Sequence, residues 1–94
     1  MRVEWSEHAL ADLDRFAEFL HERYPQLAQK IAGEIVSKAQ ILAERVELGR
    51  SVGGRAEYRQ AILQVANAKY IFQYRIDGER LIMLRVFHGR EARD

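Results

Sequence analysis

The histidines, serines, carboxylates and arginines of this chain have the chemistry to act on another molecule, and their spacing limits how far each can go. His8 and Asp12 stand four apart in a stretch of helical periodicity, which puts an imidazole and a carboxylate on one face, within reach of a shared metal ion. No third ligand follows at a suitable spacing, and both side chains are expected to face water, so no metal or cofactor is assigned. His21 falls near the end of the same stretch, where a partly protonated imidazole complements the helix dipole. His88 lies at the exit of the last strand beside Gly89 and Arg90, placed either to carry a proton or simply to meet solvent. Ser6 reads as a helix cap, and Ser37 lies inside a helix. Ser51 sits in Gly49-Arg50-Ser51-Val52-Gly53-Gly54, which lacks the lysine–serine ending of a phosphate cradle. Glu4, Glu57, Asp77 and Glu79 do not converge by any legible spacing. No catalytic residue is assigned.

The arginines carry more information. Arg75 and Arg85 fall on adjacent predicted strands, so an uncovered sheet face is expected to display both, with Arg59, Arg90 and Arg93 at its margins. Guanidinium forks fit phosphates and carboxylates alike, so such a face suits a nucleic acid or an acidic protein patch. The plainer reading, arginines solvating an open sheet, stands beside it. Phe19 lies well round from the apolar stripe of the first helix, and Phe16 flanks it. An aromatic pair in that position points to a groove for a partner.

These residues need a scaffold, and the periodicity supplies one. Arg2-Val3-Glu4-Trp5 reads as a short strand, ended by Ser6. Leu10, Leu13, Ala17, Leu20 and Tyr24 then recur at helical spacing. Pro25 breaks that helix and suits the first turn of the next. The second helix is predicted from about Gln26 to about Glu44, with Leu27, Ala28, Ile31, Ile35, Ala39, Leu42 and Val46 on its apolar face. So short a connection makes the two helices an antiparallel hairpin. Gly49 to Gly54 reads as a loop, after which the period falls to two. Strands are predicted over Glu57 to Val65, Tyr70 to Ile76 and Leu81 to Phe87, with turns at Asn67-Ala68 and Asp77-Gly78. On the last strand Ile82, Leu84 and Val86 are expected to oppose Met83, Arg85 and Phe87. The expected fold is α+β: an N-terminal strand, an antiparallel helix hairpin and a three-stranded antiparallel meander, with the helices on one face of the sheet.

Composition bounds the rest. Ninety-four residues, 48% hydrophobic and 31% charged, make one small globular domain over 1–94. The absence of cysteine excludes a disulfide framework, a thiol nucleophile and cysteine metal sites. No apolar run is long enough to span a bilayer, and Met1-Arg2-Val3-Glu4-Trp5 lacks the apolar stretch of a secretory signal, so no membrane partner and a cytoplasmic location are expected. Residues 1–50 carry seven basic and nine acidic side chains, against eight and five in residues 51–94. An anionic partner is therefore expected to prefer the second half.

Taken in order, the strings Trp5 to Leu13, Leu42 to Arg50 and Tyr74 to Arg90 resemble ParE-type toxins of the RelE/ParE superfamily of type II toxin–antitoxin systems. Trp5-Ser6-Glu7-His8-Ala9-Leu10-Ala11-Asp12-Leu13 resembles the family's opening segment. Leu42-Ala43-Glu44-Arg45-Val46-Glu47-Leu48-Gly49-Arg50 is similar to its second-helix ending, with Val46 where a proline is usual. Tyr74 to Arg90 resembles its final hairpin. The resemblance implies a bacterial toxin neutralised by a cognate ParD-like antitoxin that folds a flexible segment around it, with DNA touched only indirectly, through the antitoxin. ParE-like members inhibit DNA gyrase by binding, and Arg85, His88, Arg90 and Arg93 are the expected target contacts. Phe16, Phe19, Arg59 and Arg75 are the expected antitoxin contacts. RelE-like members instead cut ribosome-bound messenger RNA, with basic residues on the sheet and an arginine after the last strand. Arg90 matches that arginine, but Ile71 and Ala61 occupy basic positions of the nuclease pattern, only Arg59 is kept, and no tyrosine stands between Arg90 and Asp94. Gyrase inhibition is thus the expected activity, and messenger cleavage the alternative.

Overall fold

The computed structural model describes residues 1–92. The chain runs β1 (Arg2–Trp5), α1 (Glu7–His21), α2 (Pro25–Glu44), a 3-10 turn (Val46–Leu48), β2 (Arg50–Val52), β3 (Arg55–Val65), β4 (Ala68–Asp77), β5 (Arg80–His88) and a C-terminal 3-10 turn (Gly89–Ala92). The strands form one mixed sheet in the order β1-β5-β4-β3-β2, with β1 parallel to β5 and every other pairing antiparallel. Both helices pack on one face, giving the α+β architecture expected from the sequence. The predicted meander gains β2, which pairs with β3 inside the stretch read as a loop. Among the described residues no helix is long and apolar enough to cross a membrane.

Each boundary has a local cause. Ser6 caps α1 by accepting from the Ala9 amide at 3.1 Å, and its hydroxyl donates to the Leu84 carbonyl at 3.0 Å. The cap thereby pins the helix start to β5. Pro25 opens α2, where a missing amide costs nothing. Gly53 and Gly54, at φ +66° and +73°, form the two-residue β2–β3 turn, a conformation favourable to glycine. The other two hairpin loops are Ala66-Asn67 and Gly78-Glu79, each one residue from its predicted place. Ala66 holds φ +54° without being glycine; Glu34 of α2 accepts its amide at 2.6 Å. Gly49 lies against Tyr74: a Cβ there would run into the Tyr74 hydroxyl, which donates to the Val46 carbonyl at 2.8 Å.

The core joins Ile31, Ile35, Ala39 and Leu42 of α2 to Ala61 and Val65 of β3, Tyr70, Phe72 and Tyr74 of β4, and Leu81, Met83 and Val86 of β5. Two sequence expectations change here. On α1 the buried line is Ala9, Asp12, Leu13, Phe16 and Leu20, whereas Leu10, Ala17 and Tyr24 are exposed. Asp12, expected in water, is 1% exposed. On β5 the expected face of Ile82, Leu84 and Val86 fails because Leu84 is an extra residue: Met83 faces Tyr74 across the ladder and Arg85 faces Gln73. This bulge shifts the alternation by one, so Leu81 and Met83 are buried before it and Val86 after it.

Candidate functional site

β1 ends opposite Met83, leaving the outer edge of β5 uncovered beyond that point. α1 takes over. The Asp12 carboxylate accepts the Val86 amide at 2.8 Å, Arg85 Nε and Nη2 at 2.8 and 2.9 Å, and Arg15 Nη1 at 2.7 Å. Burial pushes its pKa up, but the bonds from Arg85, Arg15 and Val86 outweigh that and hold it below the usual carboxylate range. The next amide on the same edge, that of His88, donates to Glu91 Oε1 at 2.7 Å, and Arg15 donates to the same carboxylate through Nε and Nη2 at 2.9 and 3.2 Å. Two carboxylates thus replace a neighbouring strand along the edge.

This clamp holds the C-terminal turn as one wall of an apolar groove of about 630 Å³. Phe16, Phe19 and Leu20 of α1 and Leu27 and Ile31 of α2 line one side, and Val65 to Ala68 and Tyr70 line another. His88, Arg90, Glu91 and Arg15 complete it. Phe16 packs edge-on against Tyr70 with ring centroids 5.4 Å apart, so it is half core and half lining. Phe19 is 83% exposed at the groove. The His88 ring stands edge-on to Tyr70 at 5.1 Å, and its Nδ1 accepts the Arg90 amide at 3.0 Å. Arg90 is exposed and forms no ion pair among the described residues.

The predicted residues therefore separate. Phe16, Phe19, His88 and Arg90 come together in the groove. Arg85 does not project freely from the open sheet: the bulge sets it beside Gln73 on that face, from which its guanidinium reaches Asp12 and lies 4.6 Å from the Phe87 ring centre. Arg59 shares the helix-facing side of β3 with Ala61, and its Nη1 donates to the Gly49 carbonyl at 2.6 Å. Arg75 does face outward but lies 3.8 Å from Asp77, which also binds Arg80, while Arg80 reaches Glu4 at 3.0 Å. The expected basic sheet face is in fact threaded with paired carboxylates. Arg93 lies outside the described residues. The sequence reading missed Arg15, Tyr70, Leu27, Ile31 and Ala66 as parts of the site. The Asp12–Arg15 spacing of three was a legible ion-pair signal, but the fold alone brings Glu91 to it.

Comparison with known proteins places this geometry. Residues 3–93 match the family model described as the ParE toxin of the type II toxin–antitoxin system parDE. Two curated relatives from Caulobacter vibrioides are similar along nearly their whole length. They are Toxin RelE3, 29% identical over 97% of each chain, and Toxin RelE1, 30% identical over 94% of this chain and 92% of the relative. Among solved structures the fold is shared with a chain of the chromosomal ParDE system from P. aeruginosa. That match has a TM-score of 0.70 and 21% identity, and covers 94% of this chain and 95% of that one. It is also shared with a chain of the toxin–antitoxin complex RelBE2 from Mycobacterium tuberculosis, at a TM-score of 0.61 and 24% identity, covering 93% and 95%. With a family match across almost every residue, the chain belongs to the ParE toxin family of the ParE/RelE superfamily of type II toxin–antitoxin systems.

Proposed function

We propose that this toxin acts by binding, with DNA gyrase as its target in the cytoplasm and a segment of a cognate ParD-like antitoxin as the occupant of its groove. The observation that carries the binding reading is the groove itself. Exposed Phe19, half-buried Phe16 and Leu27 form an apolar floor suited to the apolar face of an amphipathic segment, and Arg90 stands at the rim to meet a carboxylate. Apolar anchors of this kind supply affinity, and the rim charge supplies orientation. The same rim carries His88 and Arg90, two of the expected target contacts, while Arg85 is held by Asp12, so an occupant of the groove covers part of the surface the target needs. Family membership supports gyrase as that target.

The curated relatives bear RelE names, which favours messenger cleavage as the second reading. Cleavage by 2′-hydroxyl attack needs a group to take a proton and cations to stabilise the phosphate. On this chain His88 Nδ1 already accepts the Arg90 amide, and Arg75 and Arg85 are bound to carboxylates. That arrangement supports binding over bond cleavage. A supercoiling assay with purified gyrase, run beside induced expression in a bacterial host, tests the choice. Inhibited supercoiling and a DNA-damage response are expected; cut transcripts with unimpaired gyrase would reverse it.

A further inference from the structure

Most ion pairs on this molecule are local and exposed, such as Arg45–Glu47 and Arg55–Glu57, and do little more than neutralise each other. Arg15 is different. Its guanidinium bridges two carboxylates, Asp12 through Nη1 and Glu91 through Nε and Nη2, joining residues 76 positions apart in sequence. One of those carboxylates is buried and already fixed by Arg85 and the Val86 amide, so Arg15 is held in place before it meets Glu91. Its guanidinium also lies 5.0 Å from the Phe16 ring centre, which further restricts its motion. On the other side, Glu91 Oε1 accepts the His88 amide, the last amide of β5. Through Glu91 this wall of the groove, which also packs against β4 and β5, is tied to one α1 side chain.

We infer that Arg15 is a positioning residue for the C-terminal turn, holding Glu91 so that Gly89–Ala92 presents Arg90 at the groove rim. In its functional part this rests on the reading of Arg90 as a target contact. Asp12 acts through Arg15 as the anchor, and Glu91 is the catch. The raised pKa of Arg15 and the lowered pKa of Glu91, in which hydrogen bonding between the two takes part, agree with the geometry. The role also explains a sequence feature that capping and helix propensity leave unused: a cation three residues after a buried acid on a face that otherwise packs.

The test uses the full chain with Arg15→Met and, separately, Glu91→Gln, which leaves the Asp12–Arg85 contacts untouched. Amide hydrogen exchange is read at Val86, His88 and Arg90 by NMR, and growth arrest is scored on induced expression at matched protein levels. Both variants should exchange the His88 and Arg90 amides at least about threefold faster, with Val86 unchanged. Growth arrest should weaken in both, with little change in Tm for Glu91→Gln, the variant that leaves Asp12 all its partners. Parental exchange at His88 and Arg90 in both variants would overturn the positioning role. Faster exchange with undiminished arrest, while Arg90→Ala abolishes arrest, would overturn its link to function. If Arg90→Ala itself still arrests growth, the reading of Arg90 as a target contact fails, and exchange alone decides the role of Arg15.

Discussion

At the scale of single residues, Asp12 is where the local physics is most concentrated. A carboxylate removed from water persists only when every lone pair is used, and here two arginines and a backbone amide use them. Asp12→Ala should cost about 2–4 kcal/mol in denaturant unfolding, because the Val86 amide loses its partner and the two arginines lose theirs. The sign of its pH dependence follows from its lowered pKa. Above the unfolded value of about 3.9 the contribution is complete, and it is lost as pH falls through that value toward the lower folded one. Thermal unfolding followed into acid should therefore separate the parent from Asp12→Asn at neutral pH and bring the two curves together as the acid limit is reached. Two backbone positions make opposite predictions. Gly49→Ala drives a methyl group into the Tyr74 hydroxyl and should destabilise by about 1–3 kcal/mol. Ala66→Gly relieves a left-handed alanine while keeping its amide for Glu34, and should raise stability by about 0.5–1 kcal/mol in the same assay.

At the scale of elements, the two aromatic residues of α1 divide between packing and recognition. Phe16→Ala should lower stability by about 2–3 kcal/mol, since its ring packs on Tyr70. Phe19→Asp should change stability by less than about 0.5 kcal/mol and still abolish co-purification with the proposed cognate antitoxin. Denaturation curves and pull-downs of both variants check that division. Helices, strands and their order were legible because periodicity reports burial and the glycines report turns. What the pattern hid has two physical causes. A buried carboxylate reads as a polar position, so the α1 stripe was placed about one residue off, on Leu10 rather than Ala9 and Asp12. A single bulged residue, Leu84, leaves no mark in an alternating string, yet it shifts the alternation, so Leu81 and Met83 face the helices before it and Val86 after it, with Arg85 beside Gln73 on the other face. Of the candidate site, Phe16, Phe19, His88 and Arg90 could be named from sequence, but the Arg15–Glu91 contact depends on the fold returning the C-terminus to the first helix.

At the scale of the whole molecule, the near-zero net charge is arranged as pairs rather than as poles. Arg2, Glu4, Arg80, Asp77 and Arg75 form a line of alternating charge across the outer sheet face, which cancels its field over a short distance. A short single-stranded RNA titrated against the protein should bind no tighter than the non-specific range of about 10⁻⁴ to 10⁻⁶ M near physiological salt, as followed by fluorescence anisotropy. Submicromolar binding would favour the messenger-cleaving alternative. The edge of β5 has a colloidal consequence as well. β1 shields it only as far as Met83, and past that point the amides a foreign strand would seek are already engaged by Asp12 and Glu91. A molecule stripped of both acids offers its neighbours a bare template for cross-strand pairing, so on concentration it should precipitate rather than persist as a weakened monomer.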